Sequence, residues 1–202
     1  MKKLNLALFL SAILLTSGFA PSTKIIYDMP LVRQSTSYSC GAAALLSVLE
    51  YYGIDDYNES EVMHEVGTTP EKGTEIERMA AFAESRGLST EVKSNVTLSA
   101  LRRHVESGQG VIVDAQAWPD DGQPAKPYPE TWSDGHYLVV IGVDDEKVYF
   151  MDPSLLGSRG FIPVKEFLDR WHEVSSKGEK LQHTALFFRG KPKPPGAWAQ
   201  IP

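Results

Sequence analysis

One cysteine, Cys40, stands alone among 202 residues. A single thiol cannot bridge within its own chain, so no disulfide framework supports the fold and a packed apolar core must do so. No basic stripe interrupts a chain of formal net charge −6, which argues against nucleic acid and anionic membrane surfaces as partners. Long apolar runs are missing as well: residues 4–15 form an apolar stretch of about a dozen, short for a membrane span. There is no internal repeat and no domain linker. The acidic residues Asp120, Asp121 and Asp134 lack the spacing of a calcium-binding loop and read as solvated. Neither a metal nor an organic cofactor is expected, and the oligomeric state stays open.

What the first residues do hold is the pattern of an export signal. Lys2 and Lys3 precede the apolar stretch, and Thr16-Ser17-Gly18-Phe19-Ala20 supplies small residues for cleavage. Pro21 is an awkward neighbour for that cut, so an uncleaved anchor stands as the alternative. In either case the body of the protein is expected outside the cytoplasm, periplasmic or secreted. No cysteine lies near the cleavage region, which excludes a lipid-modified cysteine anchor. Residues 1–20 therefore read as the signal, 21–189 as one domain with a sizeable core, and 190–202 as a proline-rich extended tail.

Within the domain, residues 23–32 read as extended. A helix over 40–52 stops at Gly53. Asn58 with Glu61, and Thr74 with Glu77, have the form of helix-starting caps; Gly67 and Gly87 close the helices that follow. Thr97 caps a further helix over 98–107, ended by Gly108. Strands are expected at 88–92, 111–113, 137–143, 147–151, 161–162 and 184–189, with Pro163 opening a helix that runs to Trp171. Helices gather in the first half and strands in the second, which predicts an α+β fold: a helical layer on an antiparallel sheet. Residues 118–134 form a connection long enough to act as a lid or binding loop.

Cys40 lies where the polar loop Gln34-Ser35-Thr36-Ser37-Tyr38-Ser39 gives way to a small-residue helix. The unpartnered N–H groups of a helix start favour a thiolate, and the Gln34 amide, six residues upstream, can aim a donor at the same point. Such a sulfur needs a base and an orienting group. Of the five histidines, His64 and His104 lie on amphipathic helices, His172 ends a helix, and His183 precedes the last strand. His136 differs, because it enters a buried strand at its mouth. Asp152 supplies the third member: if a three-residue turn pairs Val143 with Lys147, Leu138 faces Asp152, and His136 shares that face. Standing alone, Asp152-Pro153-Ser154 reads as a turn starter; His136 and the hairpin turn the reading to a catalytic one.

The segment 34–49, the strand Gly135-His136-Tyr137-Leu138-Val139-Val140-Ile141-Gly142 and Met151-Asp152-Pro153-Ser154 together resemble the bacteriocin-processing, double-glycine leader cysteine peptidases. The resemblance spans residues 30–188. It implies a papain-like fold, with Cys40 as nucleophile, His136 as base, Asp152 as orienter and Gln34 as oxyanion donor, and a peptide or protein as substrate. Well-known members are fused to a membrane transporter and ATPase, and many members carry an acidic residue before the nucleophile, where Ser39 stands here; this chain looks more like a freestanding, exported branch. Hydrolysis is the first expectation. An acyl transferase using the same thioester, or a peptide-binding module without turnover, are the alternatives.

Overall fold

The computed structural model describes residues 23–155 and 159–194. The expected signal over 1–20 and the last eight residues of the tail lie outside them. Three helices come first: α1 (Cys40–Tyr51), α2 (Glu59–Val66) and α3 (Ile76–Ser85). After β1 (Ser89–Lys93) and α4 (Leu98–Glu106) the chain lays down β2 (Val111–Gln116), β3 (Gly135–Val143), β4 (Lys147–Met151) and β5 (Arg159–Pro163). It then forms α5 (Val164–Arg170), a hairpin of β6 (His172–Val174) and β7 (Lys180–Gln182), and β8 (Ala185–Arg189). The main sheet has six antiparallel strands in the order β1-β8-β2-β3-β4-β5. The expected α+β layering holds.

Local chemistry explains most boundaries. Asn58 and Glu61 form a full capping box on α2, and Gly67 ends it at φ +66°. The Thr97 hydroxyl accepts the Ala100 N–H to start α4. Thr74, in contrast, does not cap α3: its hydroxyl pairs with that of Thr68 at 2.8 Å, and Glu75 takes the cap position without a side-chain bond. The N-terminal stretch is not a strand. It turns at residues 27–29 and is tied to the sheet by a backbone bond, Ile26 N–H to the Ile141 carbonyl, and by the Arg159 guanidinium of β5, which donates to the Tyr27 and Met29 carbonyls. The β6–β7 hairpin was not expected, since its strands are three residues long and carry charge. His172 accordingly opens β6 rather than ending a helix.

The core packs helices against the sheet, with α1 at its centre. Ala42, Ala43, Ala44, Leu45, Val48 and Leu49 of α1 are wholly buried, as are Val111, Ile112 and Val113 of β2 and Val139, Val140 and Ile141 of β3. The alanine run lets α1 sit close on β3, which carries the nucleophile to the histidine.

The hairpin of β3 and β4 departs from the expected turn in an instructive way. Val143 pairs with Val148, not Lys147, and Gly142 with Tyr149. The register then shifts by one at Ile141, so that Val140 pairs with Phe150 and Val139 with Met151. Continued one step, that ladder sets Leu138 opposite Asp152, as the alternation required.

Candidate active site

Cys40 is the first residue of α1, half-buried, with Ser39 at the cap position. Ser39 is buried; its hydroxyl accepts the Thr36 N–H at 3.1 Å and the Thr36 hydroxyl at 2.9 Å, closing the loop before the helix. The following glycine is required by space: a Cβ on Gly41 would stand 2.7 Å from Thr74 Cβ and 2.9 Å from the Tyr137 ring. Burial pushes the thiol up, but the hydrogen bond and charge of His136, with the backbone N–H groups of Tyr137 and Gly41, outweigh it. The thiol therefore sits below its ordinary value.

His136 is buried on β3, and its Nε2 lies 2.7 Å from Asp152 Oδ1. With Nε2 engaged there, Nδ1 is the nitrogen left to meet the sulfur. Burial alone would lower the imidazole, but the bonds to Asp152 and Cys40 and their charges raise it to about 10. Burial would raise Asp152, yet His136, the Ser154 N–H and Trp118 hold it below the usual carboxylate range. Oδ1 of Asp152 also accepts the Ser154 N–H at 2.8 Å, and Oδ2 accepts the Trp118 indole N–H at 2.9 Å. A thiolate–imidazolium pair with an oriented carboxylate behind it is the arrangement for nucleophilic attack and return of a proton.

Trp118 was foreseen only as part of a long loop. It sits at φ +56°, left-handed backbone that a bulky side chain seldom adopts, and its ring is half exposed over Asp152. The loop itself is tied down. Ala117 N–H donates to the Asp134 carbonyl at 2.8 Å, closing its ends. Arg170 stacks on Tyr128 with its guanidinium 3.7 Å from the ring centre, and Thr131 presents its carbonyl to His172 Nε2 at 2.7 Å.

Gln34 is held at the same turn as Asp152. Its backbone N–H donates to the Pro153 carbonyl at 3.0 Å, and its Oε1 accepts the Ser154 hydroxyl at 3.0 Å. Its Nε2 donates to the Thr36 carbonyl at 2.7 Å, so one N–H is already engaged and none is bonded to Cys40 among the described residues. The structure thus brings Cys40, His136 and Asp152 together and places Gln34 beside them. The other histidines stay apart: His64 is exposed near Glu65, His104 bonds the Phe188 carbonyl, and His183 stacks on Trp171.

Cys40 opens onto a groove of about 710 Å³, floored by Tyr137 and Gly135 and walled by Asp114 and Glu173. Neither carboxyl was anticipated. The sequence placed a strand over 111–113, whereas Asp114 continues it directly opposite Tyr137. Among the described residues no cluster of His, Cys, Asp or Glu could hold a metal ion, and no helix is long and apolar enough to cross a membrane.

Comparison with known proteins finds a matching family model and solved structures of similar fold. The model of the Peptidase_C39 like family matches residues 26–179. An uncharacterized protein of Methanothermobacter marburgensis is 33% identical over 129 residues, 63% of this chain and 74% of its own length. A second, from Methanothermobacter thermautotrophicus, is 34% identical over 140 residues, 68% and 78% of the two lengths. Among solved structures, a putative C39-like peptidase from Bacillus anthracis superposes with a TM-score of 0.62 at 18% identity, covering 85% of this chain and 99% of that one. The peptidase domain of Streptococcus ComA, a bifunctional ABC transporter involved in quorum sensing, gives 0.57 at 20% identity, covering 81% and 99%. These two likenesses establish the shared fold.

Proposed function

The chain belongs to the Peptidase_C39 like family, and from that premise we propose that it is an exported cysteine peptidase working through Cys40, His136 and Asp152. One observation carries the reading: the buried His136 ring is held by Asp152 at 2.7 Å and lies near enough to Cys40 that the thiol is pulled below its ordinary value and the imidazole pushed up to about 10. The resting site then holds the thiolate and imidazolium. The thiolate attacks the peptide carbonyl, and a tetrahedral oxyanion forms beside the start of α1. The Cys40 backbone N–H and the second N–H of Gln34 Nε2 are its donors. The imidazolium gives its proton to the leaving amine, leaving a thioester on Cys40 and neutral His136. Water, deprotonated by His136, releases the acid and restores the pair.

A double-glycine motif protease from an AMS/PCAT transporter, solved with its leader peptide, shares the fold at a TM-score of 0.51. That supports a peptide as the substrate class. Work outside the cytoplasm is supported by Lys2, Lys3 and the apolar run behind them.

The test is cleavage profiling of a mixed peptide library with the purified domain and with Cys40→Ala. Cuts that vanish in the variant, with an acyl adduct on Cys40 trapped by acid quench, are expected. Equal cutting by both proteins overturns the reading. Consumption of an added amine in preference to water redirects it to acyl transfer.

A further inference from the structure

On the Asp152 side of the triad lies a second cavity that the mechanism leaves unused. Its volume is about 450 Å³, and Trp118, Leu138, Phe150, Asp152, Leu155 and Ile162 line it. Strand register explains that lining. Val140 pairs with Phe150 and Phe150 with Gly160, so alternation sends Leu138, Phe150, Gly160 and Ile162 to the face that also carries His136 and Asp152. Gly160 brings no side chain there. A Cβ on it would stand 2.9 Å from Leu155 Cδ1, so Leu155 and the cavity share the space that a larger residue would take. The charged groups in the wall are already paired. Asp152 accepts from His136, Ser154 and Trp118. Glu166 and Arg170 form an ion pair, and the Arg170 guanidinium lies 3.7 Å from the centre of the Tyr128 ring.

Resting on the peptidase reading above, we propose that this cavity is a specificity pocket for a bulky apolar side chain of the peptide on the leaving-amine side of the cut, and that Gly160 and Leu155 set its size. The chemistry of the cut gives the side. The imidazolium hands its proton to the departing nitrogen, so the chain beyond that nitrogen passes over the His136 ring. Nε2 of that ring points to Asp152, and Asp152 and Trp118 belong both to the triad's surroundings and to the cavity wall. Cys40 instead opens onto the groove of Gly135 and Tyr137, which is left for the acyl side. An extended chain advances about 3.3 Å per residue, so one of the first two residues after the cut can set its side chain in the cavity. The walls then choose the chemistry. They offer aliphatic and aromatic carbon, and a charged side chain would give up its hydration there without gaining a partner. The volume is that of a site for a small ligand, enough for leucine or phenylalanine.

Positional peptide libraries cut by the purified domain test the pocket. Leucine or phenylalanine at one of the two positions after the cut should raise kcat/KM about tenfold or more over alanine or aspartate. Gly160→Val fills the cavity from β5 and should turn the preference toward alanine. Leu155→Ala enlarges it and should turn the preference toward tryptophan. Leucinamide should also capture the acyl-enzyme better than glycinamide: its nitrogen attacks the thioester carbonyl, the C–S bond breaks, and His136 takes the amine proton as the Cys40 thiolate leaves. A preference confined to residues before the cut, or one that both variants leave unchanged, overturns the pocket and leaves the peptidase standing. If a variant fails to fold, the capture ratio in the unaltered protein decides. Binding needs no turnover. The fluorine resonance of para-fluorophenylalaninamide should broaden with Cys40→Ala, sharpen again on adding leucinamide but not aspartamide, and stay sharp when Gly160→Val is added to that variant. If no peptide is cut the peptidase reading falls, and this binding still decides the pocket; a line that stays sharp with Cys40→Ala at millimolar protein overturns it.

Discussion

The Ile26 N–H donates to the Ile141 carbonyl across 2.8 Å, at the residue where β3 slips by one against β4. That slip decides whether Asp152 can meet His136. Extended without it, the pairing of Val143 with Val148 and Gly142 with Tyr149 would set Asp152 opposite Val139, and its carboxyl would leave on the face away from His136. The bulge restores the alternation, and the N-terminal stretch braces it from outside.

The brace makes a stability prediction. A Cβ on Gly142 would stand 2.2 Å from Ile25 Cδ1 and 3.4 Å from the Lys24 carbonyl. Since the nearest atom is the end of a flexible side chain, Gly142→Ala should cost about 1–2 kcal/mol. Truncating Ile25 in the same chain should recover most of it, a coupling visible in urea midpoints. Strictly additive costs would show that the N-terminal stretch does not brace the bulge.

The charge state of the pair fixes a pH profile. Cys40 lies below its ordinary thiol value and His136 near 10, so the thiolate–imidazolium form exists between them. As pH falls through the Cys40 value the nucleophile is protonated and kcat/KM drops. As pH rises through about 10, the ring loses the proton that the leaving amine needs. Asp152→Asn removes the negative charge that holds this proton, so the alkaline limb should move to lower pH and the maximum should fall. An alkaline limb that stays in place in the variant would show that it does not report His136.

Most of this site was legible before the structure. Cys40, His136 and Asp152 carried their own signals: a thiol at a helix start, a histidine at a strand mouth, an aspartate beyond the return strand. The register argument reached the right pairing of Leu138 with Asp152 through a turn one residue too short, because the bulge at Ile141 compensates. Nothing in Val139-Val140-Ile141-Gly142 announces a bulge except the glycine, and glycine has many uses. Asp114 was invisible for another reason. Its strand is buried on both faces, so no alternation marks which side it takes. Glu173 sits on a hairpin whose strands are too short to show a period at all. Trp118 could be placed in a loop but not aimed, since its direction comes from a positive φ.

Trp118 has a sharper consequence than its exposure implies. Its indole N–H is one of three donors to Asp152, alongside His136 and the Ser154 N–H. Trp118→Phe keeps the ring and removes one charge-assisted bond, worth about 1.5–3 kcal/mol. Part of that should appear as a drop in kcat of roughly tenfold or more, with the alkaline limb lowered as the carboxylate's hold on the ring loosens. A variant with reduced substrate affinity and unchanged kcat and pH limbs would make Trp118 a wall of the groove rather than a positioning residue.

Gln34 poses the last question, because its amide is already busy. Ser154 holds Oε1 at 3.0 Å and the Thr36 carbonyl holds one N–H at 2.7 Å, which fixes the plane of the amide and leaves a single N–H to give. A donor fixed before the reaction costs nothing to reorient as charge develops, and removal of such a donor is worth about 3 kcal/mol. Gln34→Ala should therefore lower kcat by about two orders of magnitude while KM changes little. Ser154→Ala keeps the donor and frees its plane, so its loss should be smaller and also fall on kcat. If Gln34→Ala raises KM alone, the side chain binds substrate and the oxyanion is served by the start of α1 without it.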